Sequence, residues 1–237
     1  MSERISIIVP VYNEARTVGA VIDRLLSVPL PAPREIIVID DGSADETPGV
    51  LNALAGTSPD LTILHHEVNR GKGAAVRLGF ARARGTIVAI QDADLELDPA
   101  QLASLVAPIL AGESDVVYGS RFLAGPPAAP WLTRAANRAL TTATNVLFGS
   151  RLTDMETCYK VMRTEIAQAL PLRANRFEIE PEITARLLLA GHRIVERPVT
   201  FSPRSRAAGK KISWRDGVTA VRMLVGLRFS RRDRSVS

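Results

Sequence analysis

The sequence predicts an α/β domain with a mainly parallel central sheet flanked by helices and closed by a C-terminal amphipathic helix. Three observations predict it. Short, mainly apolar β-branched runs recur between amphipathic segments, the runs alternate with helical patterns along the chain, and Gly, Asp and Asn collect at the junctions. Strands of that kind are buried on both faces, as in parallel sheets with crossover helices. Ligands of such sheets bind beyond the carboxyl ends of the strands.

Residues 5–11 form the first run, followed by Asn13 as a helix cap and an apolar period through Val18, Val21, Ile22, Leu25 and Leu26. Residues 35–39 are the second strand, and Asp40-Asp41-Gly42-Ser43 turns the chain into a helix over about 45–54, with Ser43 placed to cap it. A third strand at 61–64 leads through Asn69-Arg70-Gly71-Lys72-Gly73 into a helix over 73–83. The fourth strand, 86–90, ends in Gln91-Asp92-Ala93-Asp94, and Asp98-Pro99 opens the next helix with proline in its first turn. A fifth strand at 115–118 runs into Gly119-Ser120-Arg121. Beyond Gly125-Pro126-Pro127 the pattern is less regular: an amphipathic helix over 131–148, a strand near 160–162, a helix over 181–190 and a late strand at 194–201. A final helix over 213–229 groups Trp214, Val218, Val221, Leu224 and Val225 on one side.

The chain has 237 residues, which suits one domain without internal repeats or a linker. No apolar run approaches the roughly 18 residues of a spanning helix, and no signal peptide is evident at the N-terminus. A single cysteine, Cys158, excludes an internal disulfide and fits a reducing compartment, so the expected location is cytoplasmic. The net charge of +5 is concentrated after Ser202, where Arg204, Arg206, Lys210, Lys211, Arg215, Arg222, Arg228, Arg231, Arg232 and Arg234 face only Asp216 and Asp233. Phosphorylated substrates or an anionic membrane face are the expected partners of that region, rather than nucleic acid.

The charged residues that end the strands carry the chemistry. Asp92 and Asp94, one residue apart at a strand tip, can face a common ligand, and two carboxylates together need a cation or hydrogen bonds. An acidic turn could also cap the next helix, but Asp98 already holds that position. Oxygen donors without nearby His or Cys select Mg²⁺ or Mn²⁺, with Glu96 close enough to contribute. Asp40 or Asp41 can bond a base or ribose edge, though alone the turn reads as an ordinary strand-to-helix junction. Gly71 and Gly73 would let backbone approach a ligand, while Arg70 and Lys72 suit phosphate. The spacing is not that of a Walker A loop, and no G-x-G-x-x-G follows the first strand, which argues against a dinucleotide dehydrogenase. Arg121, Arg134 and Arg204 are candidate phosphate partners of donor or acceptor. His65, His66 and His192 lack metal-ligand spacing and read as structural.

In order along the chain, these motifs resemble the family 2 inverting glycosyltransferases of GT-A fold. Ile8-Val9-Pro10-Val11-Tyr12-Asn13-Glu14 is similar to the family's opening strand, and Asp40-Asp41-Gly42-Ser43 to its nucleoside-contacting turn. Asn69 to Gly73 and Asp92-Ala93-Asp94-Leu95 resemble the next two donor-site motifs, and Gly119-Ser120-Arg121 that of the dolichyl-phosphate mannose synthase branch. Residues 154–160, Asp-Met-Glu-Thr-Cys-Tyr-Lys, are similar to the Asp-x-x-x-Gly-Phe-Lys segment of polyprenyl-phosphate glycosyltransferases, with Cys158 and Tyr159 where Gly-Phe is commoner. Residues 177–182 resemble their acceptor-side helix, and Arg204 with Gly209-Lys210-Lys211 their basic loop. Glu96 stands where archaeal mannose synthases carry a metal-binding Gln, and the transmembrane helices that some relatives append are missing.

The resemblance implies a single GT-A domain with a nucleotide-sugar-binding half (1–121), an acceptor-side half (122–212) and a C-terminal helix with a basic tail (213–237). It implies a nucleotide-sugar donor, GDP-mannose or a UDP-hexose, contacted by Pro10, Tyr12, Asn13, Glu14, Asp40, Asp41, Lys72, Gln91, Asp92 and Ala93. The divalent metal would lie on Asp92, Asp94 and Glu96, and the acceptor phosphate on Arg121, Arg134, Arg204, Lys210 and Lys211. Asp94 and Arg121 would be catalytic, and a hydroxyl acceptor would need Asp154 or Glu156 as a base, whereas a polyprenyl phosphate would not. The helices at 131–148 and 213–229 would pack on the core, form a homodimer seam, or lie on an anionic bilayer as a peripheral contact. Two other classes are distinguishable. A nucleotidyltransferase would place a Gly- and Arg-rich loop where Tyr12-Asn13-Glu14 stands, and a non-catalytic binding module would bind nucleotide without turning donor over.

Overall fold

A computed structural model describes residues 3–203 and 214–229. Seven strands form one sheet: β1 (Ile5–Val11), β2 (Arg34–Asp40), β3 (Leu61–His65), β4 (Ile87–Ile90), β5 (Val116–Ser120), β6 (Lys160–Arg163) and β7 (Ile194–Pro198). Their order is β3-β2-β1-β4-β6-β5-β7. Only β6 opposes the rest, pairing antiparallel with β4 and β5. The helices are α1 (Val18–Ser27), α2 (Thr47–Leu54), α3 (Lys72–Arg82), α4 (Leu102–Leu110), α5 (Trp131–Phe148), α6 (Thr164–Ala169), α7 (Ile179–Leu189) and α8 (Trp214–Phe229).

The strand residues alternate between two buried clusters, one on each face of the sheet. Ile5, Ile7, Val9 and Val11 of β1 with Ile36 and Val38 of β2 meet α1 and α4, whereas Ile8, Ile37 and Ile39 meet α3, α6 and α7. Full burial of each such side chain is worth about 1.5–3 kcal/mol, so both faces drive the same register. Helix α3 lies unusually close: a Cβ on Gly79 would fall 2.2 Å from Ile8 Cγ2. Pro10 is tolerated in β1 because the β1–β4 ladder has already ended at Ile8 paired with Ile90.

Most predicted elements are present, with shifts at their ends. The helix expected at 181–190 begins at Ile179, with Pro181 inside its first turn. The late strand stops at Pro198, and the fifth starts at Val116. Asp98 caps the turn before α4, its Oδ1 accepting from Ala100 N at 3.1 Å. Helix α6 was not anticipated, because six residues are too short to show a period. Asn13 does not cap α1. It has φ of 52°, and the Glu14 carbonyl starts the helix by accepting from Val18 N at 2.9 Å.

Helix α8 packs on α5 and α7, burying Leu224 beside Leu152, Met155 and Ala185. Val218, Val221, Val225 and Phe229 are exposed, so the apolar side read from the sequence is divided between core and surface. Among the described residues, no helix is long and apolar enough to cross a membrane.

Candidate active site

The tips of β1, β2 and β3 are laced together by side chains, most of them bonding to backbone. Asn13 N donates to Ser43 Oγ at 2.9 Å, and Asn13 Oδ1 accepts from Ala44 N at 2.8 Å. Ser43 therefore joins two turns instead of capping α2, whose first residue is Thr47. Asp40 accepts from Ser43 N at 3.1 Å and lies 3.2 Å from His65 Nδ1. Asp41 accepts from Arg70 N and Gly71 N, at 3.0 and 2.7 Å, and pairs with His66 Nδ1 at 2.7 Å. Both carboxylates are buried and hold the adjoining loops, each with one histidine ring against it.

The glycines of the 69–73 loop serve a partner that the sequence did not suggest. A Cβ on Gly71 would fall 2.3 Å from Asn175 O, and one on Gly73 would fall 2.4 Å from Ala174 O. Gly71 also has φ of 96°, which strongly favours glycine. The close approach is thus to the 174–175 backbone. That turn is held by Glu182 of α7, which accepts from Ala174 N at 2.7 Å.

Lys72, at the start of α3, reaches into a chain of alternating charge. Its Nζ lies 2.7 Å from Asp92 Oδ1 and 2.9 Å from Glu180 Oε1, and Lys160 Nζ lies 2.6 Å from Glu180 Oε2. Burial alone would lower the Lys72 pKa, but Asp92 and Glu180 together raise it well above the usual lysine value. Burial likewise opposes ionisation of Glu180, yet Lys160 and Lys72 outweigh it and its pKa is lowered. Cys158 is buried beside this chain, and burial with the nearby Asp92 pushes its thiol far up, so it is not a ready nucleophile.

The loop after β4 is tied from inside. Gln91 is fully buried, and its Nε2 donates to Asp92 O and Leu97 O at 3.1 and 3.2 Å. Tyr159 Oη lies 2.7 Å from Gln91 Oε1 and 2.8 Å from Asp98 O. The Gln91 side chain therefore shapes the loop from beneath, which leaves its backbone as the part that could meet the donor. The Ala93 side chain lies in the core, so only its backbone could serve a donor. Leu95 has φ of 60°, and this turn brings Glu96 N onto Asp94 Oδ1 at 3.0 Å. Among the described residues no three His, Cys, Asp or Glu side chains converge on one point, so Asp92, Asp94 and Glu96 do not form a three-carboxylate set. Asp92 and Asp94 still fit a hard divalent ion that completes its shell with ligand oxygens and water, and the Lys72 ammonium already rests against one of them.

On the other side of the sheet's midline, Arg121 follows β5 and grips Asp154. Its Nε and Nη2 donate to Asp154 Oδ2 and Oδ1 at 2.7 and 2.8 Å, and its backbone N adds a third bond at 3.0 Å. Its guanidinium also lies 5.3 Å from the Phe201 ring. Asp154 is fully buried and both of its oxygens are engaged by Arg121. Glu196 of β7, which the sequence did not single out, holds the same turn by accepting from Thr153 N and Asp154 N at 2.8 and 3.0 Å. Burial pushes the Glu196 pKa up. Glu156, two residues on, keeps its Oε1 shielded without a hydrogen bond, and burial raises its pKa to about 7. Arg134, half-buried on α5, has no side-chain partner among the described residues. Arg204, Lys210 and Lys211 lie outside the described residues.

The glycosyl transferase family 2 profile matches residues 6–170, more than half of the chain and every strand-tip motif. The chain belongs to glycosyl transferase family 2. It is 32% identical over 208 residues to glycosyltransferase AglD of Haloferax volcanii, covering 84% of this chain but only 33% of that protein. It is 30% identical over 219 residues to the polyprenol monophosphomannose synthase of Mycolicibacterium smegmatis, covering 88% of this chain and 81% of the relative. Against the undecaprenyl-phosphate mannosyltransferase of Micrococcus luteus, identity is 30% over 216 residues, with 87% of each chain covered. The fold is GT-A. Glucosyl-3-phosphoglycerate synthase from Mycobacterium tuberculosis, solved with Mn²⁺, UDP and glucosyl-3-phosphoglycerate, superposes with a TM-score of 0.72 at 21% identity, covering 95% of this chain and 78% of that one. At that identity the likeness concerns the fold alone.

Proposed function

We propose that this family 2 enzyme moves a hexose from a nucleotide sugar to a polyprenyl-phosphate-type acceptor, with inversion and with a divalent metal. The observation that carries the acceptor is the state of the acceptor-side carboxylates. Asp154 uses both oxygens on Arg121, and Glu156 is held largely protonated below about pH 7. Asp154 has no oxygen left for base work and Glu156 is ionised only above about pH 7, whereas a phosphate acceptor, already anionic, needs no base. The names of the Mycolicibacterium and Micrococcus relatives support the same acceptor class.

In this reading the tips of β1 and β2, with Tyr12, Asn13, Glu14, Asp40 and Asp41, wall the nucleoside side. A divalent ion on Asp92 and Asp94 would neutralise charge on the departing nucleoside diphosphate. Lys72, drawn between Asp92 and Glu180, orients the Asp92 carboxylate and offers its ammonium to the same phosphates. Arg121, held in plane by Asp154, presents a fixed cationic edge toward which the acceptor phosphate is drawn for attack at the anomeric carbon. Arg134, Arg204, Lys210 and Lys211 add positive charge on the acceptor side. The exposed stripe of α8, flanked by Arg222 and Arg228, supports peripheral contact with an anionic membrane.

The test is transfer from a panel of GDP- and UDP-sugars to geranyl phosphate with Mn²⁺ or Mg²⁺. A metal-dependent sugar-phosphate-lipid product is expected. Undiminished transfer after chelation would remove the metal, and transfer only to alcohols would remove the acceptor. One observation favours a hydroxyl acceptor as the second reading: a carboxyl with a pKa of about 7 is well matched to general-base work. In that case Glu156→Gln abolishes turnover.

A further inference from the structure

In the turn at 155–157, one buried side-chain oxygen is left without a hydrogen-bond partner. Lys160 Nζ gathers it, donating to Met155 O at 3.0 Å and to Thr157 O while also pairing with Glu180 at 2.6 Å. Met155 N donates to Thr141 Oγ1 at 3.2 Å, and the side chains of Met155 and Thr157 are fully buried. Glu156, between them, is left with Oε1 shielded from solvent and unbonded. A buried polar atom without a partner costs about 1–3 kcal/mol, so its retention calls for an explanation.

The surroundings say what would satisfy it. Four charged groups face Glu156: Lys160 of β6, Glu180 of α7, Arg121 after β5, and Asp154 on its own turn. They are two cations and two anions, paired as Lys160 with Glu180 and Arg121 with Asp154. Neither cation is available as a dedicated partner for a third carboxylate. A neutral carboxyl, in contrast, carries a hydrogen that it can donate.

We propose that Glu156 is an acceptor-binding residue that works as a neutral carboxyl, donating a hydrogen bond to an oxygen of the acceptor phosphate beside Arg121. This rests on the phosphate-acceptor reading above. The proton comes from solvent: an ionised Glu156 takes one up as the phosphate arrives, because an anion at that place further disfavours a second negative charge. Burial leaves the group about half protonated at pH 7, so uptake is small well below that pH and approaches a full proton well above it. The residue thereby selects for an anionic acceptor without any covalent step of its own.

The experiment is calorimetric binding of geranyl phosphate, and separately of inorganic phosphate, to the whole chain with Mn²⁺ and a nucleoside diphosphate present. Buffers of differing ionisation enthalpy at pH 6.5 and 8.5 report the protons taken up. The wild type is expected to take up about one proton more than Glu156→Gln at pH 8.5, and nearly the same number at pH 6.5. Its Kd rises about tenfold per pH unit above 7, whereas Glu156→Gln, a permanent neutral donor, lacks that component. Glu156→Ala, without a donor, binds roughly tenfold more weakly than Glu156→Gln at both pH values. Thermal unfolding of each variant separates loss of binding from loss of fold. Binding by the wild type with the same proton uptake and pH slope as Glu156→Gln overturns the inference and leaves the acceptor reading standing. Absence of binding by every protein at either pH overturns the acceptor reading and the inference with it. Equal affinity for inorganic and geranyl phosphate supports the phosphate contact and overturns the lipid as its source.

Discussion

The two carboxylate groups of this site are built in opposite ways. At the tip of β4, Asp92 and Asp94 sit half-buried on a loop that Gln91 and Tyr159 tie from beneath. Across the sheet, Asp154 is fully buried and bound through both oxygens to Arg121, with Glu196 beneath its turn. The first pair can give its oxygens to a ligand without dismantling the fold. The second cannot. A carboxylate's chemistry here depends on what already holds its oxygens, a property of the tertiary structure that residue type does not reveal.

Substitutions should separate the two sides. Neutralising Asp94 with Asp94→Asn is expected to lower kcat/KM by about 10³, roughly 4 kcal/mol of transition-state stabilisation, while the thermal midpoint stays close to that of the wild type. An unchanged rate would remove Asp94 from the metal. Breaking the other pair with Asp154→Ala should cost about 3–5 kcal/mol of stability in urea unfolding, because it strands a buried guanidinium. A loss under 1 kcal/mol would mean that the pair is solvated in solution. Glu156→Gln should act in the stabilising direction. Its folded pKa of about 7 lies above the ordinary 4.5, so folding binds a proton that is lost as pH rises through 7. Wild-type stability therefore falls between pH 4.5 and 7, and at pH 8.5 the Gln variant should gain up to about 3 kcal/mol, with no gain at pH 4. The smallest effect expected is that of Tyr159→Phe, about 1 kcal/mol of stability for a lost buried hydrogen bond, together with weaker Mn²⁺ binding as the 91–98 loop loosens.

The parts legible in the sequence were those governed by neighbours along the chain. The apolar strand runs, the Asp98 cap and the order of the strand-tip motifs all follow from local pattern, and α6 escaped only through its brevity. What stayed hidden depends on partners far away in the sequence. Gly71 and Gly73 are glycines because the 174–175 backbone passes against them, about a hundred residues on. Asp154 finds Arg121 33 residues back, and Asp41 closes over Arg70 and Gly71 about 30 residues on. Gln91 is among the donor contacts that the resemblance implies, yet its amide is turned inward and bonded within its own loop. A paired Lys72 and Glu180 could have been suspected from charge alone, but nothing local says that they meet.

Helix α7 has a consequence for anyone who would recombine members of this family. Its Glu180 anchors Lys72 and its Glu182 secures the turn against which Gly71 and Gly73 rest. The nucleotide-side loop thus borrows its scaffolding from the later part of the chain. A chimera joined near residue 121 would have to carry a matching α7 along with its donor loops, or the grafted half would arrive without its foundations.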